Sequence, residues 1–123
     1  MSTIKTETLS TPSNATVPVD TVVNGTAKAW VNFNGTGTVA IRRAFNVSSI
    51  TDNQTGDYTV NFITAMPNVD YSAVASGGAI SGIGSRTAIS CPNTPTTTSV
   101  GVTIVNTSSA LVDVTFINVA VFS

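Results

Sequence analysis

Histidine is absent from this chain, and cysteine occurs once, as Cys91. Without an imidazole the chain holds no histidine general base, no His-ligated metal and no Ser-His-Asp triad. One thiol can close neither an internal disulfide nor a Cys-rich zinc site. Charge is scarce too: Asp, Glu, Lys and Arg make up 9% of the 123 residues, against roughly 25% in an ordinary soluble domain. Five Lys and Arg against six Asp and Glu leave a net charge of −1, which gives no basic footprint for a nucleic-acid backbone. Residues 110–122 form the most apolar stretch, but they contain Asp113 and are too few to span a bilayer as a helix. No secretory h-region follows Met1. The expectation is a chain without cofactor, metal, nucleic-acid partner or membrane span.

Leucine is nearly missing as well. Leu9 and Leu111 stand against 17 Val and 9 Ile, and hydroxyl residues are abundant at 21 Thr and 14 Ser. β-Branched side chains are stiff at χ1 and pack well on a pleated surface, so the composition predicts sheet. At this length there is room for one domain.

Residues 1–27 differ from the rest. They contain no aromatic residue and carry Thr11-Pro12-Ser13-Asn14 and Val17-Pro18-Val19-Asp20. Proline opposes helix and interior strand alike. The segment therefore reads as an extended arm with at most an edge strand at residues 21–23. Fully extended, it could reach about 90 Å. Its apolar residues Ile4, Leu9, Val17, Val19, Val22 and Val23 are the candidate anchors to a neighbouring surface.

From residue 28 onward, strand alternates with turn. Ala29, Val31 and Phe33 share one face, and Asn34-Gly35-Thr36-Gly37 is a hairpin signal. The return strand, residues 38–47, places Val39, Ile41, Phe45 and Val47 inward, with Arg43 interrupting unless a bulge turns it out. Residues 51–57 read as a polar turn before Tyr58, Val60 and Phe62. Further strands are expected at residues 71–76, 87–91, 99–105 and 111–122. About eight strands at this spacing, with no helix, predict an all-β antiparallel β-sandwich over residues 28–123, jelly-roll-like in character.

Several residues admit a chemical reading. Asp52, Asn53 and Asp57 could offer oxygens to calcium, but the remaining ligands of a loop site are missing, and such residues also belong in turns. The carboxylates, all Asp except Glu7, fall mostly in turns and strand ends, which leaves no pair set for glycoside hydrolysis. The loop at residues 77–84 is glycine-rich but lacks the lysine and helix of a phosphate-binding loop. Cys91 reads as a small apolar residue. Trp30 and Tyr71 could stack on sugar rings, although a tryptophan in an alternating strand more often packs in a core or interface. Arg42 and Arg43 form the only adjacent charged pair and, with Trp30, are the candidate subunit-interface residues.

Ala27-Lys28-Ala29-Trp30-Val31-Asn32-Phe33-Asn34-Gly35-Thr36-Gly37-Thr38-Val39-Ala40-Ile41-Arg42 resembles part of a known module. So do Phe45-Asn46-Val47-Ser48-Ser49-Ile50-Thr51-Asp52-Asn53, Gly56-Asp57-Tyr58-Thr59-Val60-Asn61-Phe62 and Ala65-Met66-Pro67. Together they resemble a tail-fibre-like or decoration-type β-module of tailed-bacteriophage virion proteins, seen especially in phages of cyanobacteria and other aquatic hosts. Gln54-Thr55-Gly56 departs from the Asn-Gly-Thr-Gly turn of that module, and glutamine enters the φ > 0 region less easily than glycine. The resemblance implies a compact, trimeric, non-enzymatic β-fold. No heptad, Gly-X-Y run or shaft repeat is present. An arm plus one domain is the build expected of a capsid cement protein on the outer surface of a virion, with itself and the major capsid protein as partners. The alternative is a short tail fibre or receptor-binding tip that binds a host-surface glycan.

Overall fold

The computed structural model describes residues 1–78, 88–90 and 94–123. Its core is a sandwich of two four-stranded antiparallel sheets. One contains β3 (Ala29–Asn34), β4 (Ala40–Phe45), β7 (Ser72–Gly78) and β10 (Phe116–Phe122), in the order β4-β3-β10-β7. The other contains β5 (Val47–Gln54), β6 (Asp57–Phe62), β8 (Ala88–Ser90) and β9 (Ser99–Val105), in the order β5-β6-β9-β8. This is the all-β sandwich that composition and alternation predict.

Period-two alternation builds the core directly. Ala29, Val31 and Phe33 on β3 face Tyr58, Val60 and Phe62 on β6, with Val100, Val102 and Ile104 from β9 and Ile117, Val119 and Val121 from β10. All are buried, and no polar or charged residue is buried among the described residues. Phe33 and Tyr58 meet edge to face at 5.3 Å between ring centroids, a favoured aromatic geometry.

The return strand expected at residues 38–47 is in fact two strands in different sheets. Asn46 sits between β4 and β5 with φ of 54°, a conformation asparagine tolerates better than most residues. Its side-chain amide donates to the Lys28 and Thr64 carbonyls at 3.0 and 3.1 Å, and its Oδ1 accepts from the Thr64 N–H at 2.7 Å. This node carries the chain from one sheet to the other. Strand β5 then runs on to Gln54, so the turn expected at residues 51–57 shrinks to Thr55-Gly56. Only Gly56, at φ 67°, enters the left-handed region there. Gln54 is thus spared the unfavourable conformation. In the β3–β4 hairpin the left-handed residue is Gly37, at φ 61°, rather than the Asn34-Gly35 pair.

Two other differences have local causes. The last strand begins at Phe116 instead of residue 111; Leu111 makes only an isolated bridge to Val105, and Val112 donates to the Ile104 carbonyl at 3.0 Å. The expected strand at 87–91 is represented by β8, whereas Cys91 and most of the glycine-rich loop, residues 79–84, lie outside the described residues.

Residues 1–26 are not continuously extended. β1 (Thr8–Ser10) and β2 (Thr16–Pro18) form a small hairpin, its bend closed by Asn14 at φ 62°. A seven-residue helix, α1 (Val19–Gly25), follows. Pro18 lies just ahead of the helix, where a missing N–H and a fixed φ cost little. Asp20 in the first turn complements the helix dipole. Thr26 returns both its N–H and its hydroxyl to the Val22 carbonyl. Among the described residues no helix is long and apolar enough to cross a membrane.

Candidate contact surfaces

No residue in 1–26 is buried. Of the six candidate anchors, Ile4 is 90% exposed, and Leu9, Val22 and Val23 are also exposed; Val17 and Val19 are half-buried. The fold brings some of them together. Leu9 pairs with Val17 across the hairpin. Val23, at the end of α1, lines an open apolar groove of about 930 Å³ with Ala44, Phe45, Ile63, Met66 and Pro67. Lys28 lies beside this groove, but its ammonium already donates to the Val23 and Thr26 carbonyls and so caps the carbonyl end of α1. The N-terminal segment therefore runs into an apolar surface at one end of the sandwich. Ile4, by contrast, stands apart from any strand or helix.

The interface candidates Trp30, Arg42 and Arg43 fall on the outer face of a single sheet. Residues paired across neighbouring antiparallel strands share a face. The ladder Phe45–Trp30–Ala120–Val74 is thus one outward row. Arg43–Asn32–Asn118–Ser76 is the next, held by Asn32 donating to Asn118 at 2.5 Å and Asn118 donating to Ser76 at 3.3 Å. The register of β3 and β4 slips so that Arg42 is the extra residue between the Phe33–Ile41 and Asn32–Arg43 pairs. This bulge resolves the conflict that Arg43 poses in the sequence: Arg43 turns out. It also reverses the facing of the rest of β4, so Ala44 points in and Phe45, expected inside, is 55% exposed. Ile41, also expected inside, is exposed at the sheet edge. Arg42 lies over the Phe116 ring at 4.4 Å from its centroid, a cation–π contact. Among the described residues no carboxylate pairs with either guanidinium.

Composition alone did not mark Phe45, Ile63, Val74 and Phe116 as exposed apolar residues. For Phe45 a signal exists: two consecutive arginines at an inward position imply an inserted residue, and an inserted residue flips every side chain after it.

The remaining candidates are local. Asn53 donates to Asp57 at 3.3 Å and to the Thr59 hydroxyl at 3.0 Å, so it links strand side chains. Among the described residues no group of three or more metal-ligating side chains gathers. The Tyr71 hydroxyl donates to the Thr96 or Ser99 carbonyl, tying its loop to the second sheet, and its ring meets Phe62 at 6.0 Å. Tyr58 is strongly perturbed. Burial, then the Asp113 carboxylate, raise its pKa well above the ordinary phenol value. Its hydroxyl lies 2.6 Å from Asp113 Oδ1 and 2.9 Å from the Gly35 carbonyl, and the same Oδ1 accepts the Gly56 N–H at 2.8 Å. This arrangement pins the segment before β10 to the end of the core.

Comparison with protein-family models, with curated proteins and with solved structures finds no match to this chain.

Proposed function

We propose that this protein is a non-enzymatic structural component of a phage virion, a homotrimeric cement that reinforces the capsid shell from outside. The observation that carries the reading is the N-terminal segment: six apolar residues, none buried, lead into an apolar groove at the sandwich end. Such surface needs a partner. The resemblance of residues 27–67 to phage virion modules supplies the kind of partner, the major capsid protein. Leu9, Val17, Val22 and Val23 then pack on the shell by strand addition and side-chain insertion. Many copies make modest contacts collectively strong. The outer face bearing Trp30, Arg42 and Arg43 fits contact with a sister copy, since tryptophan and arginine are enriched at interface centres.

Co-sedimentation with capsids lacking the protein, and in parallel with host cells, tests the reading. Saturable binding to capsids at a fixed ratio to the shell protein is expected, and the full-length triple variant Leu9→Asp, Val22→Asp, Val23→Asp should lose it. Binding to cells but not to capsids would overturn it in favour of a glycan-binding tail tip.

A further inference from the structure

The chain contains two Asn-Gly dipeptides, and the fold treats them in opposite ways. In such a pair the glycine backbone nitrogen can attack the asparagine side-chain carbonyl carbon. A new C–N bond closes a succinimide ring, the bond to the side-chain nitrogen breaks, and ammonia leaves with the proton lost by the glycine nitrogen. Water then opens the ring at either carbonyl and leaves aspartate or isoaspartate. Glycine permits the attack because no Cβ shields its nitrogen and its backbone bends freely.

Asn34-Gly35 is closed to this reaction. The Gly35 N–H donates to the Val114 carbonyl at 3.0 Å. The Asn34 amide donates to the Thr36 carbonyl at 2.8 Å, while its Oδ1 accepts from the Thr36 N–H and hydroxyl at 3.2 and 2.8 Å. Gly35 itself is buried; an added Cβ would lie 2.6 Å from the Tyr58 hydroxyl. Both nucleophile and electrophile are held.

Asn24-Gly25 is held only by the last turn of α1. Both residues are exposed, nothing lies within 4 Å of a Cβ built on Gly25, and no described residue holds the Asn24 side chain. The pair ends a seven-residue helix that buries nothing and has no side-chain N-cap. An isolated helix so far below about 12–15 residues opens readily.

We infer that Asn24 is a site of spontaneous deamidation, with water as the only co-reactant, while the fold keeps Asn34 intact. The product adds a negative charge to the last turn of α1, where the dipole disfavours it; Lys28, already donating to the Val23 and Thr26 carbonyls, offsets it only in part. Isoaspartate also lengthens the backbone there by one carbon, which a helix cannot accommodate. The modification therefore unwinds α1 beside the groove, whichever partner that groove takes.

Peptide mass mapping of full-length protein, kept folded in mildly alkaline buffer, tests this. Asn24 should convert to a mixture of aspartate and isoaspartate. Asn34 should convert at least roughly tenfold more slowly, the factor that one or two hydrogen bonds impose. In urea the two rates should converge. Gly25→Ala, which meets open space, should suppress conversion at Asn24 and leave Asn34 unchanged. Equal rates at the two sites in the folded protein, or no slowing by Gly25→Ala, would overturn the inference.

Discussion

The N-terminal segment and the sandwich both carry recurrent valines yet follow opposite rules. In the sandwich, valines and aromatic residues alternate across two facing sheets, and fifteen hydrophobic residues are buried among the described residues. In residues 1–26, valine, leucine and isoleucine recur, but the hairpin and helix bury nothing. The sandwich is held by burial of apolar side chains, whereas the segment is held by backbone hydrogen bonds such as Thr11 N–H to the Ala15 carbonyl and Val19 N–H to the Glu7 carbonyl. The lesson is that β-branched composition specifies a core only where a second sheet exists to receive it.

Substitutions can break or sharpen this contrast. The largest effect is expected for Phe33→Ala, at the centre of the core, which should cost about 3–5 kcal/mol in urea-induced unfolding. Tyr58→Phe should cost about 1–3 kcal/mol, because Asp113 and Gly35 lose their hydroxyl partner. The same variant sharpens a pH test. The folded pKa of Tyr58 is raised, so its contribution is complete below the unfolded phenol value of about 10 and fades as pH rises above it. Stability measured above that pH should therefore fall more steeply in the natural protein than in Tyr58→Phe. Asn46→Ala should cost about 1–2 kcal/mol, through the lost amide bonds and the strain of alanine at positive φ. At the other extreme, Leu9→Ser should change unfolding of the purified protein by less than about 0.5 kcal/mol. A large loss of stability from Leu9→Ser would erase the distinction between the two regions.

The sequence made some of this legible for a physical reason. Strands β3, β6 and β9 each bury one face of apolar side chains while the other face is half-buried, apart from the buried Gly101, so their apolar alternation runs from Ala29 to Phe33, Tyr58 to Phe62 and Val100 to Ile104. Alternation fails wherever a residue is inserted or the chain changes sheet. The slip at Arg42 reversed the facing of Phe45, and the left-handed turn at Asn46 divided what reads as one strand. The helix was hidden because Val19, Thr21, Val22 and Val23 are poor helix formers, and the position of Pro18 ahead of the helix decided the matter. Among the candidate contact surfaces, Trp30, Arg42 and Arg43 were singled out by residue type, but their meeting on one face depends on the β3–β4 register. The groove could not be read at all, since Val23, Phe45, Ile63 and Met66 are distant along the chain.

The pairing of β3 with β10 has a consequence for how the protein is made. Asn32 and Asn118 face each other in that ladder, so the sheet that begins near residue 29 cannot be completed until the last strand has left the ribosome. The β5–β6 hairpin, closed by a two-residue turn, can form much earlier. During synthesis β3 must therefore wait with one backbone edge unpaired. On its other edge β4, carrying two arginines and a bulge, discourages pairing with another nascent chain.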